Sequence, residues 1–124
     1  APMIPTTPLL SGDPAKALRL AKRAERLAPW DADPPMLAAA ARMAAGSSEP
    51  ALSLADADRA VSFAPERASA RWLRARARTA SGDATGAYAD AVEAARLYPM
   101  RSDYSAQASA LAEALRRASA GAPR

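Results

Sequence analysis

Punctuation constrains this chain more tightly than any other feature. Prolines at 29, 65 and 99 and glycines at 12, 46 and 82 recur at intervals of 34 to 36 residues. Residues 12–29 read GDPAKALRLAKRAERLAP and residues 82–99 read GDATGAYADAVEAARLYP. The two share an opening Gly-Asp, three alanines in register, Arg-Leu near the end and a closing Pro. A weaker copy opens at Gly46 and closes at Pro65. A unit of this length, rich in helix formers, cannot bury its apolar face alone, so copies must stack and share one continuous core. The repeat predicts an all-α stack of antiparallel helix pairs, about six helices in all.

Composition narrows the chemistry. Half of the residues are hydrophobic, but most of these are alanine, and two Trp, three Tyr and one Phe are the whole aromatic complement. Helices of this kind approach through small side chains. Ile4, Val61 and Val92 are the only β-branched aliphatics, a poor basis for a sheet. The chain has neither Cys nor His, which removes disulfides, thiolate sites, the commonest general base and much transition-metal ligation. Its few glycines form no phosphate-cradling loop, and its serines have no candidate base beside them. Asp56 and Asp58, two apart on a helix, do not face one another as a metal pair would. No enzyme activity, cofactor or metal is therefore expected. The net charge of +4 is carried almost wholly by arginine, with acids interspersed, unlike the clustered basic footprint of a nucleic-acid binder. No apolar run approaches the roughly 20 residues of a membrane span, so no membrane insertion is expected.

Taken in order, residues 1–11 hold three prolines and predict an extended arm or linker, with Ile4, Leu9 and Leu10 free to pack. Asp13 as N-cap and Pro14 at the first helical position start a helix over 14–28. Its buried stripe is Ala17, Leu20, Ala21, Ala24 and Leu27, with Lys16, Arg19, Lys22, Arg23 and Arg26 opposite. Asp33 caps a second helix over 34–45, in which Met36, Leu37 and Met43 are the large side chains. A third, from Glu49 or Pro50 to position 64, buries Leu52, Leu54, Ala57, Val61 and Phe63. The fourth spans 68–80, the fifth 84–98, and the sixth, 102–118, is an amphipathic end piece with Leu111 and Leu115. The repeat domain is thus 12–118, and 119–124 form a disordered tail.

The pattern Gly-Asp, Ala five later, Ala twelve later and Pro seventeen later resembles the second helix of a tetratricopeptide repeat (TPR). Ala17, Ala24 and Pro29 fit it, as do Ala87, Ala94 and Pro99. The stretch ASARWLRARARTASGD, 68–83, resembles the first helix of the TPR variant that places an aromatic, then Arg, then a small residue before Gly-Asp. Asp56 and Asp90 occupy an acidic position of that variant's second helix. The middle copy departs from the pattern: it carries two extra residues near Ser47 and Ser48 and lacks Gly-Asp, so its loop should be altered. The resemblance implies a right-handed superhelical α-solenoid whose first helices line a concave groove for a partner segment. Met36, Ala40, Met43, Trp72, Arg76 and Thr79 map onto that groove. The segments LAKRAERLAPWDADPP and AARLYPMRSDY are more loosely similar to TPR-containing tails of bacterial membrane proteins that polymerise or ligate polysaccharide. The compartment stays open, with the cytoplasmic and the extracytoplasmic face of a bacterial cell envelope as the alternatives.

Two function classes follow. One is a non-catalytic scaffold binding a peptide or helix of a protein partner in its groove. The other is an extramembrane tail or assembly subunit that packs against a larger protein or against itself. Met36 and Trp72 either form a permissive peptide surface or fill gaps between alanine-rich helices. Arg71, Arg74 and Arg78, at i, i+3 and i+7, form a basic face that either clamps an acidic segment or pairs with Asp56, Asp58, Asp90 and Glu93. The sixth helix, with Glu113, Arg116 and Arg117 opposite its leucines, suits a solubilising cap at the C-terminal end of the stack. The N-terminal end has no such helix. An apolar strip bearing Leu18, Leu20 or Leu27 should remain there, to be covered by the arm, a second copy or upstream sequence, with the arm or a partner chain favoured.

Overall fold

The computed structural model of the chain describes residues 13–46 and 49–121. The expected arm at 1–11, the loop residues Ser47 and Ser48, and positions 122–124 lie outside the described residues. Six helices follow in order: α1 Pro14–Leu27, α2 Asp33–Ala44, α3 Pro50–Phe63, α4 Ala68–Ala80, α5 Ala84–Leu97 and α6 Ser102–Gly121. No strand occurs among the described residues. Each helix packs against its successor, and α2 also meets α4, which brings the first helices of the pairs together along one side.

Two kinds of stop set the period. Ala28, Ala64 and Tyr98 each precede a proline, and each leaves the helix with nearly the same backbone, φ −140°, −140° and −142° with ψ 73°, 72° and 79°. Steric conflict with the following ring excludes the helical conformation there, so α1, α3 and α5 end one residue before the expected 28, 64 and 98. The turns from α2 to α3 and from α4 to α5 instead use Gly46 at φ +66° and Gly82 at φ +83°, the left-handed conformation that glycine alone enters freely. Starts follow the sequence at Asp13, whose Oδ1 accepts from the Lys16 N–H at 3.1 Å, and at Asp83, whose Oδ1 accepts from the Gly86 N–H at 2.9 Å. Asp33 is a correction. It is the first helical residue of α2 and not its cap, and its own N–H donates to Asp31 Oδ1 at 3.0 Å. The tight Asx turn at Asp31 leaves no room for a second capping residue. Helix α6 runs to Gly121, three residues into the segment expected to be a disordered tail, because nothing in Ala118–Ser119–Ala120 breaks it.

The core is alanine. Ala39, Ala57 and Ala77 join α2, α3 and α4, with Met43 and Leu54 against them. Ala75, Ala87, Ala91 and Leu111 join α4, α5 and α6. Ala60, Val61 and Ala70 form a third seam, which Met36 covers. Ala17 and Ala21 are buried as expected, but the large residues of the expected stripes are corrected: Leu20, Leu27, Leu52 and Phe63 are exposed, while Ser53 and Ala60 are buried. Small residues occupy the lines of closest approach, so the large ones stand at the margins of each contact.

Two carboxylates share this dry interior. Asp56 is 1% exposed and Asp90 is 2% exposed. Asp56, on α3, accepts from Arg42 Nε of α2 at 2.7 Å, from Lys22 Nζ of α1 at 3.3 Å and from Arg59 Nη2 of its own helix. Asp90, on α5, takes a bidentate pair from Arg74 of α4, Nε at 2.9 Å and Nη2 at 2.8 Å, and a further bond from Arg78 Nη1 at 2.8 Å. Arg71 Nη1 stands 3.5 Å from the same carboxylate. The hydrogen bonds to Asp90 hold the Arg74 proton more firmly than usual, outweighing the opposite effect of burial.

Removing either carboxylate leaves several partly buried cations without their acceptor. Asp90→Asn should cost about 3 kcal/mol, seen as a melting temperature lower by roughly 10 °C for a domain of this size. Glu113→Gln, at an exposed pair with Arg116 and Arg117, should leave the melting curve unchanged. Gly82→Ala meets no neighbour within 4 Å, so its expected loss of about 1 kcal/mol is backbone strain alone.

Candidate functional site

Helices α2, α4 and α6 present a continuous surface, and α4 lies at its centre. Position 76 faces away from the positions that meet Asp90, so Arg76 is exposed on this surface while Arg71, Arg74 and Arg78 turn to α5. The Arg76 guanidinium lies over the Trp72 ring, 4.9 Å from its centroid. The Trp72 ring is half-buried and stacks in tilted fashion on Tyr104 of α6, with centroids 5.9 Å apart. Arg101 closes the row over the other ring, 4.9 Å from the Tyr104 centroid. Among the described residues Arg76 pairs with no carboxylate.

Two clefts meet at Arg76 and Ala80. The first, about 350 Å³, lies between α2, α3 and α4 and is lined by Arg42, Met43, Gly46, Pro50 and Ser53 besides the shared pair. The second, about 410 Å³, lies between α4 and α6 and is lined by Thr79, Gln107, Ala110 and Leu111 besides the shared pair. Gln107 Oε1 is buried and accepts no hydrogen bond among the described residues. A buried acceptor without a donor costs free energy. The two clefts therefore offer a cation held by an aromatic face, beside the mainly apolar lining of the second cleft.

The expected groove residues divide accordingly. Met43, Arg76 and Thr79 come together at the clefts, with Trp72 beside Arg76. The Thr79 hydroxyl donates to the Ala75 carbonyl at 2.9 Å. Met36 lies apart, packed over the Ala60–Val61–Ala70 seam with its Sδ 3.7 Å from Arg67 Nη1. Ala40 is half-buried between them. Arg71, Arg74 and Arg78, expected as a basic face, converge on Asp90, and Arg74 Nη1 also reaches Asp58 at 3.5 Å. Of the two roles weighed for them, the structure places them in the ion-pair role. Tyr104 and Gln107 went unremarked in the sequence. The signal for them was the 34-residue step from Pro65 to Pro99, which lays α6 over α4 as a further first helix and sets Ala110 opposite the place of Arg76.

No helix of the described residues is long and apolar enough to cross a membrane, and no group of three acidic side chains among them is arranged to hold a metal. No protein-family model matches the sequence, and no curated protein matches it. Solved structures do. The human RPAP3 first TPR domain aligns with a TM-score of 0.83 at 18% identity, covering 93% of this chain and 89% of that one. The first TPR of Spaghetti (RPAP3), bound to the HSP90 peptide SRMEEVD, aligns with a TM-score of 0.80 at 19% identity, over 87% and 84% of the two chains. The Yersinia enterocolitica type III secretion chaperone SycD, in complex with a peptide of the translocator YopD, aligns with a TM-score of 0.73 at 15% identity, over 84% and 83%. The six helices are thus a TPR-like α-solenoid, a right-handed superhelical stack of antiparallel helix pairs.

Proposed function

We propose that this chain is a non-catalytic interaction scaffold that holds an extended peptide of a protein partner along α2, α4 and α6. The observation that carries this reading is the meeting of two clefts at Arg76, an exposed cation that no carboxylate among the described residues answers. An extended peptide supplies a carbonyl or carboxylate oxygen for Arg76. Met43 and the Trp72 ring give its side chains an apolar, adaptable bed. Two of the similar structures hold peptides, of HSP90 in one and of YopD in the other, which supports a peptide ligand for this fold. The second reading, a tail or assembly subunit packing against a larger protein, is favoured by the exposed leucines of α1. It concerns a different surface and is compatible with the first.

A displayed peptide library selected on the full chain tests the groove. Selected peptides should lose at least about tenfold in affinity, or roughly 1.4 kcal/mol, on Arg76→Glu. Trp72→Ala should weaken binding as strongly. Arg76 is exposed, so its variant should melt with the native chain; Trp72→Ala will lose some stability, because its ring is half-buried. Peptides that bind both variants and the native chain alike would place the ligand elsewhere and remove this reading.

A further inference from the structure

Helix α1 is the most sharply amphipathic of the six, and its outward face has no use in the peptide groove. We infer that this face docks an acidic amphipathic helix of a partner protein. Register carries the first step. Leu20 stands in α1 where Asp56 stands in α3 and Asp90 in α5, 36 and then 34 residues on. In the later copies this position is buried beneath the helix that precedes it, and that helix supplies the arginines: Arg42 to Asp56, and Arg74 and Arg78 to Asp90. Here no described helix precedes α1, and Leu20 is 44% exposed and Leu27 75% exposed. A leucine in place of the aspartate has nothing to offer an arginine-bearing helix. It fits one that brings apolar side chains.

The flanks carry the second step. Lys16, Arg19, Arg23 and Arg26 are all exposed, and none pairs with a carboxylate among the described residues. Outside α1 and apart from Arg76 of the groove, the exposed arginines are answered: Arg67 by Asp33, Arg96 by Glu93, Arg101 by Asp103, Arg116 and Arg117 by Glu113. At 100° per residue, positions 16, 19, 20, 23, 26 and 27 fall within an arc of about 120°. The seam Leu20, Ala24 and Leu27 is spaced i, i+4 and i+7, the spacing at which one helix receives another. A cationic ridge runs beside it.

Charge selects the occupant. A second copy would set the four cations against their own images, a juxtaposition that costs several kcal/mol. Residues 1–12 contain no Asp or Glu, so that segment could cover the leucines only by leaving the ridge unanswered. An anionic bilayer would answer the charges, but a seam one residue wide offers little to insert. A helix with leucines at i, i+4 and i+7 and glutamates along one flank satisfies both features.

A fluorescently labelled helical peptide of that design, and an analogue with lysine for each glutamate, can be titrated with the full chain by anisotropy. The acidic peptide should bind with an affinity that falls as salt is raised. Binding should weaken about tenfold or more in Leu20→Asp and in the triple variant Arg19→Glu, Arg23→Glu, Arg26→Glu, both checked for native helicity. Trp72→Ala should leave it unchanged, which separates this face from the groove. Equal binding of the lysine analogue, or no loss in either variant, overturns the inference. So does partition onto phosphatidylserine vesicles without binding of the peptide, a dimer in sedimentation that Leu20→Asp abolishes, or nuclear Overhauser contacts from Ile4, Leu9 or Leu10 to Leu20 in the free chain.

Discussion

Two buried carboxylates fix the stack. A seam of alanines brings helices close but says little about their offset, since an alanine contact gains nearly the same dispersion one residue further along. Asp56 and Asp90 supply what the alanines lack. Each is fully desolvated and has one position at which its oxygens are met, so any sliding of α2 on α3 or of α4 on α5 strands a charge in a dry site. Asp56 reaches further than Asp90 across the stack, because Lys22 ties α1 into the same cluster while Arg42 comes from α2. Burial opposes the charge on Arg59, yet the hydrogen bonds it donates to Asp56 and Glu25 more than offset it, and its proton is held more firmly than usual.

This arrangement also sorts the arginines of α4. Arg71, Arg74 and Arg78 are committed to Asp90 and cannot turn to a ligand without exposing that carboxylate. Arg76, on the opposite side of the same helix, is left to the Trp72 ring. The ion-pair network and the groove therefore depend on each other only through the rigidity of α4. The network holds the helix in place, and the groove takes its chemistry from the face that the network leaves free.

Much of this was legible in the residues. Prolines and glycines marked all six helices, because their backbone restrictions act locally and need no partner. The ends missed by one residue at Ala28, Ala64 and Tyr98 obey the same rule applied one step earlier, to the residue before proline. Burial was harder to see. Large apolar residues such as Leu20 and Phe63 suggest a core on hydrophobicity alone, but in an alanine-rich stack the size of the contact decides, and small residues win the centre. Arg71, Arg74 and Arg78 could be read as a clamp or as ion-pair partners, since nothing in their spacing says whether a carboxylate lies across the seam. Gln107 was marked only by the 34-residue step that makes α6 a further first helix, and its place in the second cleft is a property of packing.

The central claim is that the surface shared by α2, α4 and α6 is where a partner's peptide binds. Amide chemical-shift mapping of the full chain, titrated with the tightest peptide from a library selection, tests this most directly. The account predicts shifts concentrated at Met43, Arg76, Thr79, Gln107 and the Trp72 indole N–H, with α5 unaffected. Shifts confined to the outer faces of α3 and α5, with those groove positions silent, would contradict it.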